Sequence, residues 1–161
     1  MLEILEWLEA SALGAITRES LYGFPVLVGI HILGLIFSVG ILFWVDLRMI
    51  GVCLKGYPLI DVYRALSKWF VFGFSVMLLS GFALFAGFAT SAYENTFFRI
   101  KILVIILAGI NAIAFHFLVR RMPAEAASAD SMLSVRLMGI ASISFWAVVI
   151  LCGRMISYTL F

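Results

Sequence analysis

Residues 22–45 read YGFPVLVGIHILGLIFSVGILFWV. The stretch contains no Asp, Glu, Lys or Arg, and its one histidine is His31. As a helix it extends about 36 Å, enough to cross a hydrocarbon core of about 30 Å. It is continuously apolar rather than alternating, which excludes a barrel strand. In lipid a helix satisfies its own backbone polar groups, so this segment reads as a transmembrane helix.

Three further stretches share its character, at 69–90, 100–119 and 138–158. The 161-residue chain is 65% hydrophobic and only 12% charged. Soluble domains carry about 25% charged residues, so no separate soluble domain is expected. The expected fold is all-α: one transmembrane domain over 1–161, an integral membrane four-helix bundle. A net charge of +2 without a basic run gives no sign of nucleic-acid binding.

The first residues, MLEILEWLE, lack the basic opening of a signal peptide. Glu3, Glu6 and Glu9 fall along one helical strip, with Leu2, Ile4, Leu5 and Leu8 around the rest. Residues 1–18 therefore read as a short amphipathic helix, lying in the membrane interface or packing against an assembly. Gly56 and Pro58 break the connection after the first span. Leu59–Leu66 then reads as a turn or two of helix feeding the second span. Arg121 to Asp130 reads as a small polar loop.

With four spans, both chain ends share one side. The connections after spans one and three carry Arg48, Lys55, Arg64, Lys68, Arg120, Arg121 and Arg136, against Arg18, Arg99, Lys101 and Arg154 opposite. The excess places the two connections in the cytoplasm and both termini on the outer, periplasmic side of a bacterial inner membrane. Trp44 and Trp69 would mark the inner interface, and Tyr22, Tyr93 and Tyr158 the outer one. Cys53 and Cys152 then lie on opposite sides, out of disulfide reach.

His31 and His116 are the only histidines, and both fall inside spans. An ionisable ring in a bilayer is expensive and marks a functional site by default. Imidazole is also the commonest metal ligand and carries protons near neutral pH. Gly34 stands three residues after His31, and Gly109 seven before His116, each on its histidine's face. Such small residues allow close helix approach or leave room for a flat cofactor. A haem needs an axial imidazole in a dry slot, and its propionates want cations. Arg154 and Lys101, near the outer ends of spans four and three, are candidates. Phe70, Phe72, Phe74, Phe82, Phe85 and Phe88 would line a macrocycle or face lipid.

Depth complicates a shared iron. His31 lies roughly 13 Å and His116 roughly 24 Å below the outer surface. The gap requires a tilted helix, a different boundary or two separate sites. Met77 lies between them, so a His–Met pair is a further possibility. Two histidines without paired cysteines or an intramembrane carboxylate fall short of a tight zinc or copper site. No serine has a nearby acid–base pair, and no glycine-rich phosphate loop occurs. Asn111 points about 140° away from His116 and reads as an interhelical hydrogen bonder. Asp46-Leu-Arg48 reads as a solvated helix end with a local ion pair.

The pattern His31-Ile-Leu-Gly34, Gly40, Asp46-Leu-Arg48, Gly51 resembles a family of small four-helix bacterial membrane proteins of unknown function. Lys101-Ile-Leu, Asn111-Ala-Ile-Ala-Phe-His116 and Cys152-Gly-Arg154-Met-Ile-Ser-Tyr158 resemble its later segments. More distantly the chain resembles membrane b-type cytochromes and the copper-resistance protein D group. The resemblance implies His31 and His116 as candidate ligands, with Asn111 and Arg154 as site supports. Di-haem cytochromes typically use four histidines, so two imply at most one bis-histidine haem per protomer.

The expected function is electron transfer by a membrane b-type haem protein, to or from quinone. It would be a component of a redox chain rather than a stand-alone enzyme. The alternatives are a non-catalytic subunit of a larger membrane complex and a small proton-coupled transporter. Glycine-bearing faces and the depth mismatch point to a homo-oligomer or a larger assembly.

Overall fold

The computed structural model describes residues 2–121 and 133–160. The described residues form helices and no strands. Four helical stretches are long and apolar enough to cross a membrane: Gly23–Ile50, Leu59–Gly87, Thr96–Arg120 and Leu133–Thr159. The segment read as a loop from Arg121 to Asp130 lies, beyond Arg121, outside the described residues.

Two short helices come first, α1 (Leu2–Glu9) and α2 (Ala12–Glu19). The expected single N-terminal helix is thus broken at Ala10–Ser11. Ser11 breaks it because its hydroxyl oxygen accepts from Gly14 N at 3.2 Å, capping a new helix. α2 packs against the second span. Thr17 is fully buried, and its hydroxyl donates to Leu13 O at 2.8 Å. A Cβ at Gly14 would come within 2.9 Å of Ala86 O, and one at Gly87 within 2.6 Å of Thr17 Cγ2.

The first span comprises α3 (Gly23–Leu35), a π-helical turn (Ile36–Gly40) and α4 (Ile41–Ile50). It ends at Gly51, whose φ of 81° is left-handed. Gly51 N donates to Arg48 O and Val52 N to Leu47 O, closing the helix as glycine ends commonly do. Pro58, which has no N–H to lose, precedes α5 (Leu59–Gly87). The turn expected over Leu59–Leu66 is continuous with the second span, which is therefore longer than 69–90. α6 (Ala89–Glu94) links to α7 (Thr96–Arg121), and α8 (Leu133–Leu160) completes the bundle.

The spans alternate in direction. One end, here the terminus side, carries α1, α2, α6 and the end of α8. The other, the loop side, carries the 51–58 connection. α3 lies on α5, α4 on both α5 and α8, and α7 on α8. Trp44 and Trp69 are exposed toward the loop side, and Tyr22, Tyr93 and Tyr158 at the terminus side. Tyr22 and Trp44 stand about 33 Å apart along the helix, matching two aromatic belts.

Lipid offers apolar side chains the same company as a neighbouring helix, so close packing must hold the spans together. Glycines supply it where α3 crosses α5. A Cβ at Gly34 would lie 2.7 Å from Met77 N, and one at Gly73 would lie 2.4 Å from Phe37 C. The π turn sits at this crossing. Ser38, fully buried there, donates to Gly34 O at 2.7 Å and to Met77 Sδ at 3.6 Å.

Candidate functional site

The two histidines lie in opposite halves of the bundle, and each leans on a hydroxyl of α5. His31 Nδ1 is 3.1 Å from Ser80 Oγ. The Ser80 hydroxyl donates to Val76 O at 2.7 Å, so its oxygen accepts from Nδ1–H. In that tautomer the lone pair stands on Nε2. The Nδ1–Cε1 edge lies on Gly81, where a Cβ would be 3.1 Å from Cε1. His116 Nδ1 is 2.8 Å from Tyr63 Oη, and the Tyr63 ring meets Phe115 edge-on at 5.5 Å.

Ser80 and Tyr63 are about 25 Å apart along α5. The depth mismatch between the histidines is therefore larger than the roughly 10 Å read from sequence. Two rings this far apart do not share one iron within one protomer. They are two sites.

The other candidate residues divide between them. Lys101 enters the His31 layer from α7: its Nζ is 3.5 Å from the place of a Cβ on Gly153. Arg154 stays outside this layer, exposed on α8. It donates to Tyr158 Oη at 3.1 Å and stacks 4.7 Å above that ring. Asn111 Nδ2 donates to Met138 O at 3.1 Å, tying α7 to α8 as an interhelical bond should. Gly34 and Met77 pack against each other in the α3–α5 crossing, so the small turn below His31 admits a helix rather than a flat ring. Beside Gly109 a Cβ would meet nothing within 4 Å. Phe72 and Phe82 face outward, whereas Phe85 stacks on Phe98 at 5.2 Å.

Asp46 and Arg48 correct the expectation of a solvated helix end. They are 3% and 2% exposed, and they do not pair with each other. Two residues apart, they project about 200° apart round the helix. Asp46 faces the Ser142 hydroxyl on α8, while Arg48 Nε donates to Tyr57 O at 2.9 Å and ties down the connection. Sequence reading missed Ser142 for Asp46 and both histidine–hydroxyl pairs because each joins residues far apart in the chain, and it missed Tyr57 for Arg48 because the backbone carbonyl that accepts belongs to the irregular 51–58 connection. Pairing residues at equal depth on antiparallel spans would have suggested Ser80 for His31.

Both cysteines are free. Among the described residues no three His, Cys, Asp or Glu side chains converge as a metal site.

Four apolar spans with histidines braced inside them define a small multi-pass helical membrane protein. The chain matches the family of unknown function DUF6644 over residues 4–159 and belongs to that family. No curated protein and no solved structure matches it.

Proposed function

We propose that this chain is a b-type haem protein of a bacterial inner membrane that passes electrons, with quinone as partner, and that His31 is its axial ligand. One observation carries the reading: His31 Nδ1 lies 3.1 Å from Ser80 Oγ, whose own hydroxyl has Val76 O to donate to, an arrangement that suits the tautomer with Nδ1–H bonded to Ser80 and the lone pair on Nε2. Metal-ligating histidines almost always have their second nitrogen anchored in this way. The bare surface of Gly81 sets the ring plane, and Lys101 supplies a cation at the same depth. Haem b, when bound, supplies one-electron redox chemistry; the chain supplies the ligand, its orientation and a dry setting. One protomer offers this layer one imidazole, so a second protein ligand would come from another copy of the chain. The cation bias of the connections supports termini on the periplasmic side.

The test is an oxidised and dithionite-reduced spectrum of the detergent-purified protein, with a pyridine haemochrome assay. A sharp reduced α-band that His31→Ala abolishes and His116→Ala leaves in place is expected. A colourless protein after expression with ample haem overturns the reading.

The paired arrangement favours one second reading, a proton-coupled transporter. His31–Ser80 serves one half of the bundle and His116–Tyr63 the other, with Asp46 and Ser142 buried on the loop side. It requires pH-dependent flux in liposomes that fails when either histidine is replaced by alanine.

A further inference from the structure

Lys101 is the one span cation on the terminus side that the described structure leaves without a partner. Arg18 pairs with Glu9 and Glu19. Arg99 donates to Tyr93 O at 2.9 Å and stacks on the Tyr93 ring, and Arg154 does the same with Tyr158 Oη and its ring. Among the described residues Lys101 has neither an ion pair nor a hydrogen bond to the protein.

Nor does Lys101 escape to the surface. It is half-buried, and its Nζ lies beside Gly153. Gly153 is about 10 Å below the end of α8, Ser80 about 10 Å below the end of α5, and His31 about 12 Å below the start of α3. The ammonium, the imidazole and the glycine therefore share one layer inside the membrane. Lysine in a span ordinarily extends toward the interface. Here the ammonium stays level with its own backbone, beside Gly153, where the missing side chain makes room: Lys101 and Gly153 each lie six residues from the Asn95–Thr159 hydrogen bond. A charge in this setting is costly unless an opposite charge meets it. The ammonium is also not sealed in: among the described residues the buried polar atom that lacks both partner and access is Thr90 Oγ1.

The structure assigns Lys101, with Gly153 beside it, to a binding site for the acidic group of an amphiphile, a carboxylate at the end of an apolar body that lies along the spans. Haem propionates and fatty acids share this chemistry. The inference names the partner of the His31 layer, and it stands if the haem reading falls.

The experiment uses the full chain in nanodiscs of phosphatidylcholine. Four probes are titrated: haemin, haemin dimethyl ester, oleate and methyl oleate. Wild type should hold at least one acid about tenfold tighter than its ester, the worth of one charge-assisted hydrogen bond. Lys101→Met should erase the difference, and Lys101→Arg should keep it. Preference for haemin alone identifies a propionate, and preference for oleate alone a lipid acid. Oleate preference with no haemin binding confirms the site and removes the haem reading. Equal binding of acid and ester in both pairs overturns the site, as does an acid preference that survives in Lys101→Met. Where Lys101→Met does not fold, reductive methylation of wild type decides: the acid must protect Lys101 and the ester must not, and equal labelling overturns the proposal.

Discussion

At the residue scale, each histidine meets one hydroxyl of α5, and these contacts make the sharpest tests. Ser80→Ala removes the acceptor for Nδ1–H of His31 and should cost about 1 kcal/mol of stability. In a haem-loaded protein it should also shift the α-band and lower haem retention, since the ring loses its anchor. Tyr63→Phe keeps the edge contact with Phe115 and deletes only the bond to His116. It should cost about 0.6–1 kcal/mol and leave any haem spectrum unchanged. A lost spectrum in Tyr63→Phe would place the cofactor at the loop side and refute the assignment to His31.

At the scale of elements, glycines show which helix faces are occupied. A Cβ at Gly34 would strike Met77 backbone on α5, and one at Gly109 would meet open space. Gly34→Ala must therefore push α3 from α5, at about 1–3 kcal/mol. Gly109→Ala should be neutral or stabilise by up to about 1 kcal/mol through helix propensity. Both are read as shifts in the unfolding midpoint in mixed micelles. Equal effects would refute the α3–α5 crossing. Gly51 is a different case, because its constraint is a left-handed φ rather than a contact. Gly51→Ala should lose about 1–2 kcal/mol, the cost of that conformation for a residue with a Cβ.

At the scale of the whole molecule, four alternating spans put α1 and the end of α8 on one side. Reporter fusions at the two ends should give the same sidedness, and one inserted in the 51–58 connection the opposite. After Cys152→Ser, Cys53 should react with a membrane-impermeant maleimide from the loop side only. Labelling from the terminus side would overturn the topology. The outward-facing residues, among them Ile30, Leu33, Leu78 and Leu79, are apolar because lipid is their solvent. Stability then rests on the few faces where glycine and alanine let backbones meet.

Local chemistry alone made much of this legible. Length and unbroken apolarity determined four membrane helices, because a bilayer penalises every unpaired backbone group. Tyr and Trp near the span ends follow a different rule, since rings with an apolar body and a polar tip suit the headgroup level, and the fold class followed from composition. The packing role of Asn111 was legible too, from its angle on the helix. Tertiary structure decided which residues meet. His31 with Ser80, His116 with Tyr63, Asp46 with Ser142 and Lys101 beside Gly153 each join distant parts of the chain. Such pairings depend on how neighbouring helices rotate and slide. Lipid-facing and helix-facing positions are equally apolar here, so hydropathy carries no signal of that rotation.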